Sequence, residues 1–383
     1  MLNRRTFTAG IAAAAIAGRG RALEVDDDEV IRDILKRRVD AEKRTVGMAV
    51  CVVTANRKRF VAWGHERLGN VRPVTSDTVF EIWSITKIFT ALLLADMARH
   101  GLVGLDDPVA RHLPGDFRLP STDGREITLA DLATHTSGLP SFPPFPGSPF
   151  SSAWLEASAR FSVEDFKAWL ADLHLPRPPG AGWEYSNVGY ALLGMALAHR
   201  GGRPFETLLQ ARVIDGIGLQ ETTFHPTKAM APRVAEGHDP TLKPIRPFNQ
   251  GILAAAGGLH STPRDLSRFA AAILPGSGAR IAPNEQLLFT VRRPAPWTGG
   301  GQALGWEMRD APGGPFVSKD GVGGQAASMV FDPDKRLAVV AFSNTVPDLL
   351  YSEPPGGGVG TADIARHLLR PQILMGGQGG TKY

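Results

Sequence analysis

The chain has 383 residues, 43% of them hydrophobic and 21% charged, so it can build a large core and is neither a peptide module nor a disordered chain. Its one cysteine excludes an intramolecular disulfide framework and any cysteine-cluster metal site. The formal net charge of +4 traces to four arginines ahead of residue 23, namely Arg4, Arg5, Arg19 and Arg21, so nothing in the charge balance points to a nucleic-acid partner.

In chain order, Asn3 to Thr8 carries an Arg-Arg-x-Phe pattern and is followed by a mild apolar run, Ala9 to Gly18. That run is too short to span a bilayer, and the pair of arginines resembles a twin-arginine export signal, with cleavage expected after Ala22. No cysteine follows the run, and no later stretch of about 18 apolar residues exists, so no stable membrane anchor is expected. Asp26 to Arg44 has helical spacing with acids at its N-terminal end. Met48–Val53 and Arg59–Trp63 read as two strands joined by a polar turn, and Cys51 falls in the first as a core residue. Glu81 to His100 reads as a long apolar helix. Ile127 to Ala133 starts another, capped by Thr128.

Ser137 to Ser152 is a long loop rich in proline, with Phe142, Phe145 and Phe150 along it. Helices are expected near Val163–Leu173, Val188–Arg200, Phe205–Val213 and Thr262–Ile273, the last with Thr262 as N-cap. Leu304–Met308, Phe316–Lys319, Ala326–Phe331 and Leu337–Phe342 are short strands between turn residues, and Thr361–Leu369 is a closing helix. Strands at both ends with helices between them predict an α/β fold: an antiparallel sheet flanked by N- and C-terminal helices, with an inserted all-helical domain. The corresponding division is a signal peptide over 1–22, a discontinuous sheet domain over 23–83 and 300–372, a mainly helical domain over 84–299 and a flexible tail over 373–383.

Three short elements carry chemistry. In Ser84-Ile85-Thr86-Lys87 the serine and lysine share one helix face, so a desolvated amine can take the hydroxyl proton. Tyr185-Ser186-Asn187 precedes a helix; a phenol near a lysine relays protons, and an asparagine amide holds a substrate amide or the lysine. Lys319-Asp320-Gly321 sits at a strand end, where a cation polarises the phenol or holds a carboxylate and glycine permits close backbone approach. No His-Glu-x-x-His, Walker loop or Gly-x-Ser-x-Gly elbow is present, against zincins, NTPases and α/β-hydrolases. His135 reads as a structural residue of its turn rather than a base.

In this order the three elements resemble the serine hydrolases that include class C β-lactamases, DD-peptidases and β-lactamase-like esterases. Residues 74–81, 132–140, 256–262 and 304–307 are similarly placed. The resemblance implies Ser84 as nucleophile and Lys87 and Tyr185 as a coupled proton-transfer pair, with Lys319 lining the site. It implies Asn187 as a substrate contact and an oxyanion hole from the backbone N–H groups of Ser84 and of Val322, just past Gly321. Two departures stand out. Asp320 replaces the family's frequent Thr or Ser and, beside a substrate carboxylate, would repel it unless paired with Lys319. The Phe142 loop offers an aromatic rim favouring apolar acyl groups.

The expectation is an exported, periplasmic or secreted serine hydrolase without cofactor or metal, acting on a small-molecule substrate. β-Lactam hydrolysis is the first choice, and an esterase or D-amino-acid peptidase is the alternative. A non-catalytic penicillin-binding protein is the reading of another class, disfavoured because nothing structural requires Ser84, Lys87 and Tyr185 together.

Overall fold

The computed structural model describes residues 28–69, 71–149, 151–248, 250–274, 288–290, 292–295, 299–311, 313–346 and 360–369. The expected signal segment, the C-terminal tail and Phe150 lie outside them.

The elements run α1 (Asp28–Lys36), β1 (Gly47–Thr54), β2 (Lys58–Gly64), β3 (Phe80–Glu81), α2 (Thr86–Arg99), α3 (Leu129–Ala133), α4 (Ser152–Arg160), α5 (Val163–Ala171), α6 (Asn187–Gly201), α7 (Phe205–Leu209) and α8 (Asp215–Ile217). They continue with β4 (Gly237–His238), β5 (Pro244–Ile245), α9 (Ala254–Gly257), β6 (His260–Ser261), α10 (Pro263–Ile273), β7 (Arg293–Pro294), β8 (Gly299–Gln302), β9 (Glu307–Arg309), β10 (Phe316–Val322), β11 (Ala326–Asp332), β12 (Leu337–Ser343) and α11 (Thr361–Leu369). The main sheet has the order β2-β1-β12-β11-β10-β9-β8-β7, antiparallel throughout, so strands from the two ends of the chain meet where β1 pairs with β12.

Alternation along the strands divides the core in two. Met48, Val50 and Val52 of β1, with Val339 and Ala341 of β12, face Ile31 and Leu35 of α1 and Ile364 and Leu368 of α11. Ala49, Cys51 and Val53, with Val340 and Phe342, face the helical body of the protein, and Cys51 is a buried core thiol. The helix ends follow local chemistry. Thr128 and Asp131 form a capping box at α3, and Ser186 accepts from Gly189 N at the start of α6, which Gly202 ends in the left-handed region at φ 64°. Thr262 caps α10 with Pro263 at its first position.

Several elements differ from the sequence expectation. The helix expected from Glu81 begins only at Thr86. Phe80–Glu81 pairs with His260–Ser261, and Trp83 takes a left-handed φ of 46° that no α-helix accommodates. The strand expected over Leu304–Met308 starts at Glu307, because Gly305 turns the chain at φ 74° and Ala303 N bonds Trp306 O. Sheet strands begin at Arg293 rather than after residue 300. Helix α4 follows the proline-rich loop, with Ser151 as its cap.

These positions matter because α2 is buried on nearly its whole circumference, from Thr86 to Met97. It is thereby held in place, and the 3₁₀ turn Trp83–Ile85 that feeds it lies against the interior strands β10 and β11. A β-carbon on Gly321 of β10 would stand 2.1 Å from Ile82 O and 3.1 Å from Ser84 N, so the strand reaches that turn only because the residue there is glycine.

Candidate active site

Ser84 lies in the 3₁₀ turn ahead of α2, half-buried, with two partners on its hydroxyl. Lys87, one turn on, brings Nζ to 3.0 Å from Ser84 Oγ. The Tyr185 phenol donates to Ser84 Oγ at 2.7 Å. Tyr185 stands two residues ahead of α6, where its backbone is held by His135: Nδ1 of that ring accepts from Ser186 N at 3.1 Å, and its carbonyl accepts from Glu184 N at 2.8 Å. The His135 ring lies 4.4 Å from the Tyr185 ring, centroid to centroid. Burial, and then the Lys319 cation, push its imidazole well below the ordinary range, so it is neutral and holds the turn.

Lys87 is fully buried, and its amine has three neighbours. Nζ donates to Asn187 Oδ1 at 2.7 Å and to Ala256 O at 2.8 Å; the third contact is Ser84 Oγ. Burial first, and the Lys319 cation second, drive the amine well below its usual range. A neutral amine has two N–H donors and one lone pair. Two of the neighbours are carbonyl oxygens, which only accept, so the lone pair is left pointing at the serine hydroxyl. Asn187 is itself fixed as the first residue of α6, with its N–H on Ser141 O at 3.0 Å and Nδ2 3.4 Å from Ser141 Oγ.

Lys319 comes from β10, with Nζ 4.9 Å from the centroid of the Tyr185 ring, as far as Lys87 Nζ is from the same point. It donates to Glu307 Oε1 at 3.3 Å, and Arg309 pairs with the other oxygen of that carboxylate. Burial opposes ionisation of Glu307, but Arg309, Lys319 and Arg366 outweigh it and draw the carboxyl down to about 2. For Tyr185, burial is the main cause that raises the phenol; the Ser84 hydrogen bond opposes it, and Glu307 and Asp320 add to it. The phenol therefore stays protonated across the neutral range.

Two candidate residues stand elsewhere than expected. Asp320 does not meet a substrate carboxylate and is not paired with Lys319. Strand alternation turns it to the opposite face of β10, where it is 5% exposed and takes an ion pair from Arg366 of α11 at 2.5 Å. Phe142 does not stand free on a rim: its ring is half-buried and packs edge-on against Trp154 at 5.0 Å, as Phe145 does at 5.3 Å. Gly321 and Val322 lie where the backbone of β10 passes the Ser84 turn.

Sequence reasoning missed Glu307, the Ala256 carbonyl, Arg366 and the ring of Trp83. Glu307 and Ala256 lie in stretches whose family likeness was visible, but their roles need the fold. A lone acid between Trp306 and Met308 on a buried strand was the available signal, since a buried carboxylate requires a cation. Among the described residues, no three His, Cys, Asp or Glu side chains gather as a metal site, and no helix is long and apolar enough to cross a membrane.

The chain is similar to several known proteins. The family model described as Beta-lactamase matches residues 28–353. The chain is 31% identical over 268 residues to the D-alanyl-D-alanine-carboxypeptidase/endopeptidase AmpH of Escherichia coli K12, covering 69% of this chain and 67% of that protein. It is 26% identical over 292 residues to a beta-lactamase of Pseudomonas fluorescens, covering 76% of each. Among solved structures it is similar to a beta-lactamase/D-alanine carboxypeptidase from Yersinia pestis (TM-score 0.70, 28% identity, 83% of this chain and 92% of that one). In fold it is also like a class C beta lactamase from Rhodobacter sphaeroides (TM-score 0.72, 24% identity, 89% and 99%).

The Asp320–Arg366 pair makes a first prediction. Arg366 is 9% exposed and has Asp363 only at 3.8 Å, so Asp320→Asn strands a buried cation. It should lower stability by about 3 kcal/mol, read as a fall in Tm. Because Asp320 faces away from the site, turnover of neutral and of carboxylate-bearing substrates should change by the same factor. A selective gain for the anionic ones would return Asp320 to the substrate side.

Proposed function

The chain belongs to the Beta-lactamase family and is a serine hydrolase of the β-lactamase-like type, and from that premise we propose that it hydrolyses β-lactam amide bonds through an acyl-enzyme on Ser84. One observation carries the reading: the Lys87 amine is held by Asn187 Oδ1 and Ala256 O at 3.0 Å from Ser84 Oγ. In this reading Ser84 Oγ attacks the carbonyl carbon as its proton passes to Lys87. The backbone N–H groups of Ser84 and Val322 receive the oxyanion. When the C–N bond breaks, the nitrogen takes a proton from the Tyr185 phenol, which Lys87 restores; water then cleaves the Ser84 ester with the same pair as base and acid. The raised phenol suits Tyr185 to relay rather than to resting base, and the lowered amine suits Lys87 to base.

Lys319 in this scheme holds the substrate's carboxylate, while Asn187 contacts its amide in addition to holding Lys87. Asp320, paired to Arg366 on the other face of the sheet, does not oppose an anionic β-lactam there. A second reading, D-amino-acid carboxypeptidase activity on the same site, draws on the likeness to AmpH. Esterase activity uses the same steps with oxygen as leaving atom. We further propose export by the twin-arginine route, on the Arg4-Arg5 pair ahead of the short apolar run.

Parallel assays of the mature protein with a chromogenic cephalosporin, a D-alanyl-D-alanine peptide and a short-chain aryl ester test the substrate class; the cephalosporin should be turned over with the highest kcat/KM. A slow β-lactam should leave one adduct on Ser84 by intact-mass and peptide mass spectrometry, and Ser84→Ala should leave none and lose turnover. An adduct on another residue removes the assignment.

The pH profile tests the base. Lys319→Met removes the smaller of the two causes that depress Lys87, so the amine titrates higher and the acid limb of kcat/KM moves to higher pH. Burial, the larger cause, remains, so the limb stays below the range of an ordinary lysine. An acid limb that does not move assigns it to a different group.

Export has its own test. Replacing Arg4 and Arg5 with lysine should keep activity in the cytosolic fraction and deplete it from the periplasm or medium. Unchanged export of the double variant would assign a different route.

A further inference from the structure

The two backbone N–H groups assigned to the oxyanion, those of Ser84 and Val322, belong to distant parts of the chain. Such a hole works only if both donors stand about 2.7–3.1 Å from one oxygen, so their separation has to be held closely. Val322 ends β10, and its N–H points away from β11: the next residue, Gly323, turns its own N–H inward onto Gln325 O at 2.9 Å, and successive N–H groups of a strand alternate. Among the described residues, β9 runs beside β10 only as far as Ser318, so Lys319 to Val322 have a ladder on the β11 side alone. Gly321 lets this open edge come against Ile82 and Ser84, and the Trp83 indole packs on Gly323, where a β-carbon would stand 2.1 Å from the ring. A missing side chain permits approach; it does not hold the two segments together.

Gln325, a buried side chain just past the turn of the β10–β11 hairpin, supplies a tether. Residues 233–235 run parallel to the chain at Val79: Val79 N donates to Arg233 O at 2.8 Å, and Ala235 N donates to Val79 O at 2.9 Å. In a regular parallel ladder the next bond is Glu81 N to Ala235 O. Here Glu81 N donates instead to Gln325 Oε1 at 3.1 Å, and Gln325 Nε2 donates to Ala235 O at 2.8 Å. The side-chain amide, which carries both an acceptor and donors, is spliced into the ladder as a peptide group would be. It belongs to the third residue after Val322 and bonds the third residue before Ser84, so both donors hang from one amide by short lengths of chain. Pairing alone does not favour this arrangement, because Glu81 N and Ala235 O could satisfy each other without the entropy cost of ordering a glutamine.

We propose that Gln325 is a positioning residue of the reaction: its amide ties the β10–β11 hairpin to the strand that leads into the Ser84 turn, and thereby sets the separation of the Ser84 and Val322 N–H groups. The inference rests on the reading of Ser84 as nucleophile with these two donors as its oxyanion hole. Without the amide, Glu81 N and Ala235 O are free to bond each other, β3 closes on residues 233–235, and the hairpin tip loses its hold. Lys87 and the Tyr185 segment are held by contacts of their own, at Asn187, Ala256 and His135, so proton transfer stays in place while oxyanion stabilisation is lost.

Gln325→Met keeps the length of the side chain and removes both bonds. With whichever of the cephalosporin, peptide and aryl ester the unaltered protein turns over, kcat/KM should fall about tenfold or more, with the positions of its pH limbs unchanged. Phenylboronic acid reads the hole directly, because its adduct on Ser84 is tetrahedral and places an oxygen there; its Ki should rise by a similar factor. Gln325→Asn, polar but one carbon too short to reach both partners, should move Ki in the same direction. Ki does not depend on the fraction of protein folded. Ile31→Ala, in the core between α1 and the sheet, is the control for lost stability: it should lower Tm and leave Ki within about twofold. Amide hydrogen exchange should quicken in peptides covering 79–84 and 320–325 of Gln325→Met. A Ki unmoved in both Gln325 variants, or moved equally by Ile31→Ala, overturns the inference whatever happens to kcat, and leaves the hydrolase reading standing. An unaltered protein that turns over none of the substrates and takes no adduct on Ser84 defeats both.

Discussion

The organisation of the site depends on one buried amine. Lys87 has no solvent to share its charge, and its surroundings give it two fixed acceptors and a cation in Lys319. Each of those neighbours comes from a different part of the chain: Asn187 from the start of α6, Ala256 O from α9, Lys319 from β10. The amine therefore ties two helices to α2 and is poised by a strand, and the serine it faces inherits its position from all of them. A lysine in such a place is neutral because desolvation of the charged form costs more than its hydrogen bonds return. The same burial that makes it costly to fold makes it competent as a base.

Strand β10 performs the second division of labour. Its alternation sends Lys319 to the site and Asp320 to α11, so two adjacent charges serve opposite faces of the sheet without meeting. Lys319 reaches Glu307, which pairs in turn with Arg309, so the lysine has a buried counter-charge. On the far face, Arg366 and Asp363 surround Asp320. Gly321, between them and the end of the strand, has no side chain to lift the backbone from Ser84 N. The carboxylate next to the lysine in sequence thus takes its cation from α11 rather than from that lysine.

That separation marks the limit of what the sequence reveals. The strands Met48–Val53, Ala326–Phe331 and Leu337–Phe342 are legible from alternation and turn residues, and Thr128 and Thr262 are legible as caps, because these are local signals. Ser84, Lys87, Tyr185 and Asn187 are legible as a set because a short motif and a likeness to a family bring them together. The face of Asp320 is not legible: the tripeptide Lys-Asp-Gly reads as a strand end, whereas the strand continues to Val322 and alternation applies through it. The ring of Phe142 reads as a rim because its partner, Trp154, lies on a helix that the proline-rich stretch conceals. Both differences concern long-range packing that no spacing within the chain encodes.

Folding alone would not select residues 83 to 87 as they stand. Glycine fits the backbone of Trp83 without strain, and an apolar side chain fits the surroundings of Lys87 without a desolvation penalty. Both departures lie within one turn of Ser84, and the rest of α2 follows the opposite rule, with Ile88, Phe89, Leu92, Leu93 and Leu94 all buried. A helix that is apolar around its whole circumference is what allows its first turn to carry these costs: the buried area downstream anchors the turn whatever the turn itself prefers. Stability is thus lost at Trp83 and Lys87, on either side of the serine turn, and recovered along α2.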